Sequence, residues 1–135
     1  HAIEEEACNS GMRNRVHIFN RMPNCDLPAI YQGSTVFASL SFFEGFGIPV
    51  LEAITSGVPV IAATGSCLEE AGGPDSIYCD PTNLAQIADR INELLACPER
   101  RAHMIQAGLK YASRFSESAV TGQLLSVYRQ LLQQE

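Results

Sequence analysis

Two carboxylates and two glycines share one short stretch of this chain, Phe43-Glu44-Gly45-Phe46-Gly47-Ile48-Pro49-Val50-Leu51-Glu52. Glu44 and Glu52 stand eight positions apart around a Gly-x-Gly loop. Pro49 suits the first turn of a helix, where its missing N–H would lack a partner anyway. The loop is therefore expected to open into a short helix. A helix start gathers free N–H groups and the positive end of the macrodipole, and both favour an anion. Glycine lets that anion approach the backbone closely. At ~1.5 Å per residue, Glu52 lies about one turn into the helix, whereas Glu44 lies before the loop. Ionised carboxylates only accept hydrogen bonds, and vicinal hydroxyls are good donors to them. The set suits a ligand with a diphosphate in the middle and a hydroxyl-rich group at each end. Glu44 would hold a sugar and Glu52 a ribose diol, as in a nucleotide sugar.

Other chemistries fit less well. A dinucleotide fingerprint needs a third small residue where Val50 stands, and an acidic residue after the next strand, which reads Ala62-Ala63. There is no Walker A loop and no Asp-x-Asp pair to chelate a divalent ion on a diphosphate. His1, His17 and His103 are too scattered to form a metal set by spacing, and His17 reads as a core residue of a strand. Phe42 and Phe43 read as packing residues. Phe46, between the glycines, reads as the more exposed ring, able to line a sugar pocket.

Elements of two textures must position these groups. Val16–Phe19, Thr35–Ala38, Val58–Ala62 and Ile77–Cys79 are short apolar runs that predict buried strands. Helical segments alternate with them, which indicates a Rossmann-like α/β domain with a parallel sheet flanked by helices. Pro59 has no N–H for a ladder and belongs at a strand's first residues. Gly57 suits the left-handed position after a helix spanning Pro49–Ser56. The Glu44 loop then leaves the carboxyl end of a parallel strand, where ligands of open α/β sheets bind. The C-terminal third reads as three helices. Leu84, Ile87, Ile91 and Leu94 form a 3.6-residue stripe, Pro98 starts the next helix, and Ser116 with Glu117 caps the last, with its stripe of Val120, Leu124, Val127 and Leu131. Gly72-Gly73-Pro74-Asp75 predicts a turn.

The 135 residues suit one domain, and 46% apolar residues supply a core. A net charge of −6 argues against nucleic acid or an anionic membrane as a partner bound through this surface. Five cysteines without a CxxC pair read as buried or idle thiols in a reducing compartment. No apolar run approaches the ~20 residues of a membrane span. The chain also opens inside what reads as a helix, His1 to Gly11, as a piece of a longer protein would.

With these residues in place, the chain resembles the retaining nucleotide-sugar glycosyltransferases of glycosyltransferase family 4, which have the GT-B fold. The hallmark is a stretch like E-G-F-G-x-P-x-x-E-A, here Glu44-Gly45-Phe46-Gly47-Ile48-Pro49-Val50-Leu51-Glu52-Ala53. Leu27-Pro28-Ala29-Ile30-Tyr31 looks like the family's short helix, and Gly57-Val58-Pro59-Val60-Ile61 like its G-x-P-V-I strand. Ser66-Cys67-Leu68-Glu69-Glu70-Ala71-Gly72 and Asp80-Pro81 continue the match, which runs over roughly residues 14 to 130.

The resemblance implies that residues 1–135 are a single nucleotide-sugar-binding domain, the C-terminal half of a two-domain GT-B enzyme without its first strand. It implies Glu44 at the donor sugar and its anomeric carbon, as the catalytic group. Backbone groups of Phe46, Gly47, Ile48 and Val50 would approach the sugar and diphosphate, Glu52 would bind the ribose, and the backbone near Met22 the base. It implies hexosyl transfer with retention, with no metal or other cofactor. The acceptor, a glycan or lipid-linked sugar, would come from the absent N-terminal domain in polysaccharide assembly. The enzyme would be cytoplasmic, with membrane contact only through that domain. Asn20 departs from a common glycine, which leaves the base open. Arg13, Arg15 and Arg21 do not match the family's upstream basic pair, so the isolated chain is expected to be inactive. A GT-B-like epimerase or phosphorylase, and a catalytically dead nucleotide-sugar-binding module, remain as alternatives.

Overall fold

The structure, a computed structural model, describes residues 2–133. Helix α1 (Ala2–Asn9) leads through a 3₁₀ turn (Arg13–Arg15) and an extended stretch to α2 (Leu27–Gly33). Strand β1 (Phe37–Ser39), helix α3 (Ile48–Thr55) and strand β2 (Val60–Ala63) follow, then α4 (Leu68–Gly72) and β3 (Ile77–Cys79). The chain ends in α5 (Leu84–Ala96), α6 (Pro98–Ala112), a 3₁₀ turn (Ser113–Phe115) and α7 (Glu117–Leu132).

The three strands form one parallel sheet in the order β1-β2-β3. Phe37 pairs with Val60, and Ile61 with Ile77. Central β2 is buried at all four residues, as expected of a parallel strand covered on both faces. Its side chains alternate. Val60 and Ala62 join a cluster with Val50, Ala53, Ile54, Leu68 and Ala71 under α3 and α4. Ile61 faces the other way, onto Ile77, Cys79, Ile87, Leu94 and Met104. Pro59 stands just before β2 and needs no donor there; its carbonyl accepts from Phe37 N at 2.9 Å.

Local chemistry sets the helix ends. The Asn83 side chain accepts from Gln86 N at 3.0 Å and caps α5. Arg101 on α6 donates to the carbonyls of Leu94 and Leu95, which the end of α5 leaves without helical partners. Ser116 caps α7 by accepting from Ala119 N at 3.3 Å. Gly73 ends α4 at φ 71° and leads into the expected turn.

Two expectations are corrected. Val16–Phe19 is not a strand: nothing in the described sheet pairs with it, and Ile18 and Phe19 are exposed. His17 is exposed with it rather than a core residue. The apolar stripe of α7 is real but buries no residue, because the main neighbour of that helix is the 3₁₀ turn before it.

Candidate functional site

The loop between β1 and α3 leaves the carboxyl end of β1 and enters the helix at Gly47. Gly47 takes φ 96° and serves as the N-cap of α3, with Pro49 in the first turn. Its carbonyl accepts from Val50 N at 2.9 Å and from Leu51 N at 3.2 Å, which starts the helix. The N–H groups of Phe46, Gly47 and Ile48 carry no hydrogen bond among the described residues. They are the donors such a helix start offers to an anion.

Helix α4 holds this loop from beneath. A Cβ at Gly47 would meet Leu68 Cδ2 at 2.6 Å and Ala71 Cβ at 3.3 Å. Cys67, at the N-cap of α4, donates its thiol to the carbonyl of Glu44 at 3.1 Å. The Glu44 carboxylate is half-buried and makes no hydrogen bond among the described residues. Ile48, next in the helix, is exposed.

The three phenylalanines take places opposite to those expected. Phe46 is half-buried, packs on the core under α3 and meets Phe115 edge-on, with ring centroids 5.6 Å apart. Phe115 in turn meets Tyr111 at 5.7 Å. Phe42 and Phe43 stand out instead, 74% and 91% exposed. Glycines on both sides gave Phe46 the look of a loop tip, but the turn at Gly47 tucks its ring inward. Val50 also has a different place. Its side chain is fully buried and its N–H is used by Gly47, so neither faces a ligand.

Glu52 lies further along α3 and is half-buried. With Asn24, Leu27, Pro28, Tyr31, Thr55 and Ser56 it lines a cleft of about 260 Å³ between α2 and α3. Tyr31 donates its hydroxyl to Glu52 Oε2 at 3.1 Å. Burial, then the Glu52 carboxylate beside it, pushes the Tyr31 phenol up to about 12. Met22 is half-buried, just before Asn24 in sequence, and is not among the residues lining the cleft. The loop thus gathers Glu44, Phe46, Gly47 and Ile48, the cleft takes Glu52, and Val50 belongs to the core.

Sequence reasoning gave Tyr31 and Cys67 no role beyond their motifs. For Tyr31 a signal existed: it lies four residues after Leu27, on the same face of α2. Cys67 carried none. Among the described residues no group of three or more His, Cys, Asp or Glu could hold a metal ion. No described helix is long and apolar enough to cross a membrane.

A parallel α/β sheet with a glycine-led helix start at its carboxyl edge has the build in which open α/β folds bind their ligands. The comparisons with known proteins narrow the class. Residues 1–111 match the sequence profile of the family "Glycosyl transferases group 1", and the chain belongs to that family. It is 34% identical over 110 residues to the O-antigen chain mannosyltransferase B of Escherichia coli, covering 82% of this chain and 29% of that protein. It is 32% identical over 127 residues to a D-inositol 3-phosphate glycosyltransferase of Corynebacterium glutamicum, covering 93% of this chain and 30% of that one. The chain spans under a third of the length of these curated relatives.

Solved structures agree. The sucrose-phosphate synthase of Thermosynechococcus elongatus superposes with a TM-score of 0.84 at 25% identity, over 98% of this chain and 34% of that one. The C-terminal domain of a glycosyl transferase group 1 family protein from Francisella tularensis gives 0.70 at 25% identity, over 83% and 59%. The fold is that of the C-terminal half of a GT-B glycosyltransferase.

Proposed function

We propose that this chain is the donor-binding domain of a two-domain, retaining hexosyltransferase that uses a nucleoside diphosphate sugar. One observation carries the proposal. The free N–H groups at the Gly47 start of α3 lie at the carboxyl edge of the sheet, with Glu44 before them and Glu52 in a cleft behind them. Diphosphate on those N–H groups would leave the sugar toward Glu44 and the ribose toward Glu52. Met22 would meet the base through its backbone. Phe46, Gly47 and Ile48 would offer backbone donors, and Val50 only packing beneath them.

In transfer, the bond from the anomeric carbon to the diphosphate oxygen breaks and its electron pair leaves with the diphosphate. The acceptor oxygen bonds that carbon, and its proton passes to the departing diphosphate. Glu44 would stabilise positive charge developing at the anomeric carbon, and the helix N–H groups the negative charge on the leaving group. Such fixed dipoles cost no reorganisation during reaction, and no metal or other cofactor is proposed. The acceptor, a glycan or lipid-linked sugar, and the cations that finish neutralising the diphosphate would come from the other domain. Work in polysaccharide assembly fits the name of the O-antigen chain mannosyltransferase that the chain resembles, and the enzyme would act in the cytoplasm.

A thermal-shift panel of UDP-, GDP- and ADP-sugars tests the proposal. One of them should raise the melting temperature, and the shift should vanish in Glu52→Ala. No shift with any of them, in this chain or in its two-domain parent, would sink it.

A further inference from the structure

The carboxylate of Glu52 is held before any ligand arrives. Tyr31, on α2, reaches across 21 positions of sequence to donate to Glu52 Oε2 at 3.1 Å. The tyrosine is only 9% exposed. Its ring meets Phe37 of β1 edge-on, with centroids 5.4 Å apart. The phenol is therefore fixed by packing and can move little. A glutamate on a helix surface otherwise samples several rotamers, and ordering it costs free energy when a ligand binds. Here a buried donor has already selected one.

The proton stays on Tyr31 through the neutral range, since burial and the neighbouring carboxylate both disfavour the phenolate. Tyr31 is thus a permanent donor and Glu52 Oε2 its acceptor. The other oxygen, Oε1, has no hydrogen bond among the described residues. It belongs to a side chain that lines the cleft between α2 and α3.

We infer that Tyr31 is a positioning residue for Glu52, fixing the carboxylate so that Oε1 takes the ribose diol of the donor. The inference rests on the donor-domain assignment above and adds to it the source of the preference for ribose. Tyr31 lines the same cleft, with its hydroxyl already given to Glu52. Its effect should appear only with ligands that carry the diol.

The test uses the 135-residue chain and calorimetric or NMR-detected titrations with UDP, GDP and ADP. The tightest of the three is then compared with its 2′,3′-dideoxy counterpart. Tyr31→Phe removes one oxygen and keeps the ring on Phe37. It should weaken the ribonucleotide about 3- to 10-fold and leave the dideoxy compound within about twofold, the range of one ordinary hydrogen bond lost. In a Glu52→Ala background the same change should cost nothing further. The ratio of the two affinities within one variant is independent of the folded fraction, so partial unfolding does not obscure it. Equal losses for both compounds, or no loss while the unaltered chain binds, would overturn the positioning role alone. If the unaltered chain binds none of the three, the same titrations are run on its two-domain parent, and no binding there either would overturn the donor-domain assignment and this inference with it.

Discussion

Gly47 and Leu68 stand so close that no side chain fits between them. The missing Cβ of Gly47 would lie 2.6 Å from Leu68 Cδ2, and the backbone there is already left-handed at φ 96°. The glycine is needed twice, once for its conformation and once for the approach of α4. Gly47→Ala should therefore cost about 2–4 kcal/mol, from strain at positive φ and from overlap in a packed core. Urea denaturation measures it. Gly45→Ala is the control: that position lacks a positive φ and has open space around it. Its stability should stay within about 0.5 kcal/mol of the unaltered chain.

The two acids should separate by the step they serve. In the proposed two-domain transferase, Glu44→Gln should lower kcat about 100-fold or more with little change in donor KM, as loss of an interaction made mainly in the transition state does. Glu52→Ala should instead weaken the donor by about 1–3 kcal/mol for lost charged hydrogen bonds. Steady-state kinetics with varied donor reads both. Wild-type turnover in Glu44→Gln would remove it from the chemistry.

High pH should expose the buried phenols. Tyr31 and Tyr78 are both pushed up to about 12 from an ordinary 10.0, first by burial. A phenol with a higher pKa in the folded state binds its proton more tightly there. Its stabilising contribution is whole below the unfolded value and is lost as pH climbs through the folded one. Melting temperature should therefore fall between about pH 10 and 12, and fall less in Tyr31→Phe. Tyr78 donates to the Gly73 carbonyl at 2.6 Å, so Tyr78→Phe should flatten the same limb but also loosen the turn after α4. Tyrosinate absorbance followed through the melt checks both.

The start of α5 offers a smaller test. Asn83→Ala removes the side-chain cap at the start of that helix and should cost about 1 kcal/mol. Asn83→Asp restores an acceptor and should recover most of the loss by chemical denaturation.

Much of the fold was legible because the local signals agreed with the packing. Pro49 and Gly57 bracket α3, Pro98 starts α6, and Ile77–Cys79 is a strand as its apolar run predicts. The failures have particular causes. Val16–Phe19 has the composition of a strand, but a strand needs a neighbour to take its hydrogen bonds, and composition does not say whether one is there. The stripe on α7 marks an apolar face without saying what, if anything, covers it. Spacing gave the Glu44–Glu52 stretch, since helix geometry fixes it. It did not give Tyr31 beside Glu52 or Cys67 beside Glu44, because those pairs join segments 21 and 23 positions apart. Nor did it give the exchange of roles among Phe42, Phe43 and Phe46, which depends on which way one turn rotates the backbone.

The contact of Phe46 with Phe115 sets where the domain may be cut. Homology outlines a unit ending at residue 111, which keeps every strand and both acids. Such a truncation would strip the loop's ring of its aromatic support, four residues past the outlined edge. A piece that keeps this ring contact must extend at least through Phe115. The sixteen-residue helix beyond that point buries no residue and has the 3₁₀ turn as its main neighbour among the elements.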